Sequence, residues 1–139
     1  MRDRSPLAAA ALVALLLLVP GCSGGTTQTV GYATGGATIR VNDVLRVDLG
    51  DYNESIGDMW YEVKRPDGKV LKDYGDKLDS NCKPNQAGCG GRLYWEFLGY
   101  AKGAASVRFQ YCYRSTRTNC QPGPGRGPKD SVLFNITVI

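Results

Sequence analysis

The 139-residue chain contains no histidine. Catalytic sites of the Ser-His-Asp and Cys-His kinds use an imidazole as their base, and many zinc sites use one as a ligand. The commonest hydrolase chemistries are therefore excluded. The carboxylates are scattered along the sequence and form no cluster with the spacing of metal ligands. We expect no enzymatic activity, no cofactor and no metal site.

Long runs of like charge are also missing. No such run exceeds two residues, and the net charge is only +4. Nucleic-acid-binding proteins concentrate basic residues in patches or stripes, so we expect no nucleic acid among the partners. With 42% hydrophobic and 22% charged residues the chain has the composition of a folded protein. Its length leaves room for one domain, which we expect to be monomeric.

No apolar stretch is long enough to span a bilayer as a helix. The longest run, Leu7–Val19, has thirteen residues, whereas a transmembrane helix needs about 20. Arg2 and Arg4 precede it and give the segment a positive start. These features are typical of a signal peptide, which we assign to residues 1–21.

The sequence Val19-Pro20-Gly21-Cys22 follows the apolar run. A small residue directly before a cysteine at this place resembles the lipobox of bacterial lipoproteins. The resemblance implies that Cys22 is lipidated, becomes the mature N-terminus and anchors the protein on the extracytoplasmic face of the cell membrane. Two acyl chains on one cysteine anchor firmly where a single chain does not. The alternative is an ordinary cleaved signal peptide that leaves Cys22 as a spare thiol.

Residues 22–36 join this anchor to the rest of the chain. Apart from the cysteine they are rich in glycine and threonine and show no apolar periodicity. This composition predicts a flexible linker with a root-mean-square reach of roughly 20 Å. Residues 37–139 then form the folded domain.

Four cysteines remain when Cys22 carries lipid. Exported proteins keep paired thiols oxidised, and four cysteines allow three pairings. We favour Cys82–Cys89 and Cys112–Cys120, because each pair is close in sequence and lies in a segment full of turn residues. The Cys-x-x-Cys spacing of zinc sites is missing.

From Thr38 onward, apolar residues recur with a period of two, which predicts β-strands. No helical pattern runs long enough for a good helix. We label seven predicted strands A to G, and they span residues 39–41, 45–49, 59–64, 70–74, 92–99, 107–114 and 132–138. Seven short strands in about 100 residues predict an all-β fold, an immunoglobulin-like antiparallel β-sandwich.

In strand C the alternation does not decide which side of the strand faces the core. Strict alternation turns Met59, Tyr61 and Val63 inward and places Trp60 on the outward side. A bulge near Gly57 would shift this phase and turn the tryptophan inward.

Three connections are long, while the other three are tight turns. The long ones are the B–C loop (Gly50–Gly57), the D–E loop (Gly75–Gly90) and the F–G loop (Ser115–Asp130). If successive strands are antiparallel, these loops gather at one end, and strand A begins there too, so the membrane tether emerges near them. Long loops on a rigid scaffold usually carry function, although they can also be passive insertions.

The loops carry three short motifs in order. Asn53-Glu54-Ser55-Ile56-Gly57, followed by Asp58-Met59-Trp60, is similar to an Asn-Pro-Thr-Thr-Gly motif that precedes an aromatic residue and tryptophan. Gly88-Cys89-Gly90-Gly91 matches Gly-x-Gly-Gly, and Arg114 after Tyr113 matches the arginine of Arg-Pro-Trp. Together the motifs resemble those of the chagasin-like inhibitors of papain-family cysteine peptidases. Glu54, Ile56 and Ser115-Thr116 depart from that family's pattern.

The resemblance implies that the B–C, D–E and F–G loops enter the active-site cleft of a papain-family cysteine peptidase and block it without chemistry. It also implies the residues that bind the peptidase: Asn53, Glu54, Ser55, Ile56, Gly57, Gly88, Gly90, Gly91 and Arg114. The alternative is a non-inhibitory adhesive or structural domain of the cell envelope that uses the same loops.

Overall fold

The computed structural model of the protein describes residues 24–139, so the predicted signal peptide and Cys22 lie outside the described residues. No helix within this range is long or apolar enough to cross a membrane. The described chain forms eight strands: β1 (Thr27–Gly31), β2 (Gly36–Ile39), β3 (Val44–Tyr52), β4 (Asp58–Lys64), β5 (Leu71–Ser80), β6 (Gly91–Gly99), β7 (Gly103–Tyr113) and β8 (Val132–Val138). Its helical segments are three short 3-10 turns: Tyr32–Thr34, Glu54–Ile56 and Arg117–Asn119.

The strands form two four-stranded sheets. One has the order β1-β3-β6-β5 and the other β2-β8-β7-β4. The fold is therefore the predicted immunoglobulin-like β-sandwich, with the predicted strands A to G corresponding to β2 through β8 in order. Strand β1 is additional, and it pairs with β3 in parallel, as β2 does with β8.

Alternating apolar residues of both sheets meet in one core. Leu45 and Val47 of β3, Phe97 of β6 and Phe109 of β7 are each 0% exposed. Because successive side chains of a strand point to opposite faces, a period of two places every second residue between the sheets. The predicted inward faces of β3, β6, β7 and β8 are confirmed.

The predicted inward face of strand C is wrong. Trp60 is buried in β4 together with Asp58 and Glu62, whereas Met59 and its alternating partners are half-buried on the other face. The 3-10 turn that ends at Gly57, where φ is 106°, sets the phase in which β4 begins. Inside, Trp60 packs edge-to-face against the ring of Tyr111 with centroids 5.5 Å apart, and burial of its large apolar ring favours this phase.

The flexible-linker prediction is also wrong for the residues that the structure describes. Thr27–Gly31 forms a parallel ladder with β3, and Gly36–Ile39 forms another with β8. Between them, Tyr32 packs on Trp60 with ring centroids 5.3 Å apart. The chain is held by these ladders and by an aromatic contact, and segments of four and five residues are too short to show a periodic pattern.

The N-terminal segment leaves the domain at the end opposite to the three long loops. Thr26 bonds to the turn between β2 and β3, since its amide donates to Asp43 Oδ1 (2.8 Å) and its carbonyl accepts from the Val44 amide (2.8 Å). Strand β3 then runs to Tyr52 beside the B–C loop, roughly 26 Å away at about 3.3 Å per residue. The expectation that the tether emerges near the loops is therefore wrong, because β1 carries the chain back along the sandwich.

Two loops are shorter than predicted. Strand β3 continues to Tyr52, and β5 continues through Gly75 to Ser80. Gly75 lies at a β-bulge with φ of 79°, where its amide donates to Asp73 Oδ1 at 2.8 Å. A glycine at such a position bends a strand without ending it.

Candidate functional site

The strand pairing brings the three long loops to one end of the sandwich. In one sheet Gly91 pairs with both Tyr52 and Ser80, which places the B–C and D–E loops side by side. In the other sheet Asp58 pairs with Tyr113, where the B–C loop ends and the F–G loop starts. We call this surface, formed by residues 53–57, 81–90 and 114–131, the loop end.

The B–C loop is a single capped turn. Asn53 Oδ1 accepts a hydrogen bond from the Ser55 amide at 3.0 Å, and the Gly57 amide closes the turn onto the Glu54 carbonyl at 3.0 Å. Gly57 needs its left-handed backbone and its lack of a side chain, because a Cβ there would lie 2.3 Å from Arg114 Cγ. Glu54, Ser55 and Ile56 are exposed at the apex of the turn.

The D–E loop is a small ring closed by the disulfide Cys82–Cys89, whose Cα atoms are 5.4 Å apart. At its base the Asn81 amide donates to the Gly90 carbonyl at 3.0 Å. Gly88 is exposed, has φ of 74° and has open space where a side chain would stand. Of the glycines predicted in this loop, Gly88 is the exposed one.

Gly90 and Gly91 are packed against the protein's own backbone. A Cβ on Gly90 would lie 2.3 Å from the Tyr52 carbonyl oxygen, and one on Gly91 would lie 2.2 Å from that of Asp79. The close backbone contacts that these two glycines permit are therefore with the domain itself, at the Tyr52 and Asp79 carbonyl groups. They hold the D–E loop against its neighbours, so their contribution to any partner is indirect.

Arg114 fastens the F–G loop to the B–C loop. Its amide donates to the Gly57 carbonyl at 2.8 Å, and its Nε donates to the Ile56 carbonyl at 3.0 Å. Its φ of 48° is unusual for a residue with a side chain. The guanidinium also lies over the ring of Tyr113, 5.2 Å from the centroid. Arg114 thus braces the B–C turn from below.

The second disulfide, Cys112–Cys120, ties the start of the F–G loop to strand β7. Its Cα atoms are 5.1 Å apart, and Cys112 is fully buried. Next to it the Tyr113 amide donates to the Gln121 carbonyl at 2.8 Å. Both predicted cysteine pairings are confirmed, and each one stiffens a loop of the loop end.

Asp58 is a functional candidate that the sequence analysis missed. It is 0% exposed, yet its carboxylate accepts from three directions. Tyr111 Oη donates to Oδ1 at 2.6 Å, the Asn53 amide donates to Oδ2 at 2.8 Å, and the Arg126 guanidinium binds both oxygens, with Nε 2.7 Å from Oδ1. One carboxylate therefore joins the B–C loop, strand β7 and the F–G loop.

These partners keep Asp58 charged. Burial by itself would raise the pKa of its carboxyl group, but the hydrogen bonds from Arg126, Tyr111 and the Asn53 amide together lower that pKa below its usual value. The pKa of the Tyr111 hydroxyl shifts the other way: burial and the adjacent Asp58 carboxylate raise it, so the hydroxyl stays protonated and donates. The site is thus a buried carboxylate whose two oxygens each accept two hydrogen bonds and whose counter-ion, Arg126, is exposed.

A signal for Asp58 was present in the sequence. Asp58 lies two residues before Trp60, so a strand that turns the tryptophan inward also turns the aspartate inward. A buried carboxylate requires a cation or several donors. The partner, Arg126, lies in a Pro- and Gly-rich stretch 68 residues away, and no local pattern connects the two.

All nine predicted peptidase-binding residues belong to or border the loop end. The hydrogen bond from Asn53 Nδ2 to the Gly88 carbonyl (3.0 Å) joins the B–C loop to the D–E loop, as those of Arg114 join it to the F–G loop. Ser55, Gly90 and Arg114 therefore lie at the same end of the molecule. Their role in binding a peptidase stays a prediction.

The fold and the loop end define a class of protein: a β-sandwich that presents a rim of braced loops. The family model described as "Chagasin family peptidase inhibitor I42" matches residues 38–124. The chain belongs to the chagasin family of peptidase inhibitors.

Solved structures show the same fold at low sequence identity. The cysteine protease inhibitor EhICP2 from Entamoeba histolytica is 14% identical, with a TM-score of 0.57 over 82% of this chain and 96% of that one. Amebosin is 15% identical, with a TM-score of 0.52 over 84% of this chain and 100% of that one. No curated protein sequence matches the chain significantly.

Proposed function

We propose that this protein is a membrane-tethered inhibitor of papain-family cysteine peptidases that blocks the active-site cleft with its B–C, D–E and F–G loops. Membership of the chagasin family supports inhibition as the activity, and the cysteine peptidase class follows from the resemblance of the three loop motifs. Inhibition of this kind needs no chemistry from the inhibitor. It needs a surface that fits the cleft and keeps its shape.

The observation that carries the proposal is the bracing of the three loops. Asn53 connects the B–C loop to the D–E loop, and Arg114 connects it to the F–G loop, with hydrogen bonds of 3.0 Å in both cases. A disulfide also closes the D–E loop, and another ties the F–G loop to strand β7. Loops that are ordered before binding lose less conformational entropy when they bind. The loop end is thus suited to enter a cleft as a preformed wedge.

The apex of the wedge is the turn from Glu54 to Ile56. Ile56 is 37% exposed and is the apolar side chain of this turn. Its carbonyl oxygen is held by Arg114, so the side chain is presented from a fixed backbone. An apolar side chain at the centre of an interface can fill a pocket and exclude water. Ile56 would supply the apolar contact at the cleft, with the exposed Gly88 of the D–E loop on one side.

The position of the N-terminal segment supports the tethered arrangement. Thr26 is bound to Asp43 at the end of the sandwich opposite to the loop end. A lipid on Cys22 would therefore place the membrane beneath the domain, and the loops would face away from it. Strand β1 makes this orientation a property of the fold, so a long linker is not needed.

Titration of active papain with a soluble form of residues 23–139 tests the inhibitory function. All eight strands lie between Thr27 and Val138, so this form keeps the whole fold. We expect stoichiometric loss of papain activity at micromolar protein, and recovery of the inhibitor uncleaved. A serine peptidase such as trypsin serves as the control and should keep its activity.

Absence of inhibition by folded protein would reject the proposal. Folding would be established independently by cooperative thermal unfolding and by intact disulfides. The result would then favour an adhesive or structural role for the loop end in the cell envelope.

A further inference from the structure

Residues 122–130 form the outer part of the F–G loop and have few polar connections to the domain. No backbone hydrogen bond joins them to another part of residues 24–139. Gly123 and Gly127 lie against tyrosine side chains, since a Cβ would come within 2.9 Å of Tyr113 Cβ at the first and 2.4 Å of Tyr111 Cγ at the second. Within residues 24–139, the hydrogen bonds that join the segment to the rest of the domain are those of Arg126 to Asp58.

We propose that Asp58 and Arg126 are positioning residues for inhibition: the ion pair between the buried Asp58 carboxylate and the exposed Arg126 sets the position of the outer F–G loop relative to the B–C turn. The inference rests on the proposed function, because it specifies how the same surface is held.

The geometry explains why one carboxylate can position two loops. Asp58 Oδ2 accepts from the Asn53 amide at the base of the B–C turn and also from the Arg126 guanidinium. Removal of the guanidinium leaves a carboxylate that is 0% exposed without its counter-ion. An unpaired charge at a buried site is unfavourable, so the Asp58 carboxylate would move toward water or bind a proton more tightly. Either change weakens the hydrogen bond that it accepts from the Asn53 amide, and the B–C turn would loosen as well.

The arginine is also suited to this role by its shape. Its planar guanidinium makes two parallel contacts with a carboxylate, which fix both distance and orientation. A lysine at position 126 would keep the charge but provide one contact point. The proposal therefore distinguishes geometry from charge, and Arg126→Lys separates the two.

The experiment compares Arg126→Met with Arg117→Met in the soluble form of residues 23–139. Arg117 lies in the same F–G loop, is exposed, and makes no ion pair within residues 24–139. Each variant thus removes one positive charge from the loop. The measurements are the inhibition constant for papain, and amide hydrogen exchange at Asn53 and through residues 121–128.

We expect Arg126→Met to raise the inhibition constant by roughly tenfold or more, because loop order is then lost before binding. It should also speed exchange at the Asn53 amide, while Arg117→Met, which removes the same charge without touching Asp58, leaves that exchange rate within about twofold of the wild type. Arg126→Lys should fall between Arg126→Met and the wild type. Equal effects of Arg126→Met and Arg117→Met on the Asn53 exchange rate would overturn the proposal, because charge alone would then be responsible.

Hydrogen exchange keeps this test separate from the proposed function. If wild-type protein does not inhibit papain, faster exchange in Arg126→Met still supports the positioning role, and unchanged exchange rejects it. Should Arg126→Met fail to fold, Arg126→Lys decides the matter. A raised inhibition constant and faster exchange in Arg126→Lys support the proposal, and unchanged values of both overturn it.

Discussion

Asn53 Nδ2 donates a hydrogen bond to the Gly88 carbonyl across 3.0 Å, although 35 residues separate the two in the chain. The same amide group caps the B–C turn through its oxygen, which accepts from the Ser55 amide. One side chain therefore both shapes a loop and fastens it to the next. The loop end is stabilised by several such double contacts, and each can be tested separately.

Replacement of Asn53 by aspartate isolates the connection between the B–C and D–E loops. The new carboxylate would still accept from the Ser55 amide but could not donate to Gly88. Loss of one hydrogen bond is worth about 1 kcal/mol, so we expect the inhibition constant for papain to rise at least roughly fivefold. Asn135→Asp, an exposed change on β8 outside the loop end, is the matched control and should leave inhibition unchanged. Equal effects of both changes would contradict the prediction.

The two disulfides should differ in their reaction with reductant. Cys82 is exposed, whereas Cys112 is 0% exposed within strand β7. A thiolate must reach a sulfur atom in order to attack it. Limited reduction of native protein should therefore release Cys82 and Cys89 first, as shown by alkylation and peptide mapping. Earlier alkylation of Cys112 would show that β7 opens before the D–E loop.

Glu62 should make the domain less stable at alkaline pH. Its carboxyl group is buried, and its oxygens have no hydrogen-bond partner among the described residues, although Arg65 Nε lies 3.2 Å from Oε2. Burial and the neighbouring Asp73 carboxylate raise the pKa of Glu62 from 4.5 to about 8. Between pH 4.5 and about pH 8 the folded protein therefore keeps a proton on Glu62 that the unfolded chain has released.

The sign of the effect follows from this difference. Stability from Glu62 is fully present below pH 4.5 and is lost as the pH rises through about 8. We expect the melting temperature to fall across this interval, and Glu62→Gln, which cannot ionise, to flatten the profile and to be the more stable protein at pH 8. The measurement is thermal unfolding at a series of pH values. Glu54→Gln, at an exposed position, is the control and should keep the wild-type slope.

Removal of residues 24–35 should destabilise the soluble domain. This deletion takes away strand β1 and the contact of Tyr32 with Trp60, and it leaves the edge of β3 unpaired. We expect the free energy of unfolding to fall by more than about 2 kcal/mol, as measured by urea denaturation. Tyr32→Ala should reproduce part of the loss, and Thr29→Ala, at an exposed position, should not. An unchanged free energy in the deleted form would restore the interpretation of this segment as a passive linker.

Local patterns in the sequence were enough to predict the sandwich. The alternation of Leu45, Val47 and Leu49 identifies an inward face, because the period of a strand is fixed by its backbone. The cysteine pairs could be assigned for a similar reason, since each disulfide joins cysteines only seven or eight residues apart. The order of the long and short connections likewise predicted that the loops meet at one end.

Other features depended on contacts that no local pattern records. The phase of β4 differs from the predicted one because burial of Trp60 was favoured over burial of Met59, Tyr61 and Val63. The segment up to Ile39 is ordered because β3 and β8 offered it free edges. Asp58 became a positioning candidate because Arg126 reaches it from a loop 68 residues away.

The sequence by itself determined which residues alternate, where the chain turns and which cysteines are near each other, since these depend on neighbours along the backbone. Only the tertiary structure decided that Asp58 is buried and paired with Arg126, that Asn53 spans two loops, and that Thr26 lies at the end of the sandwich opposite to the loop end. These depend on hydrogen bonds and packing between distant segments, whose free energy exists only when the sheets have come together.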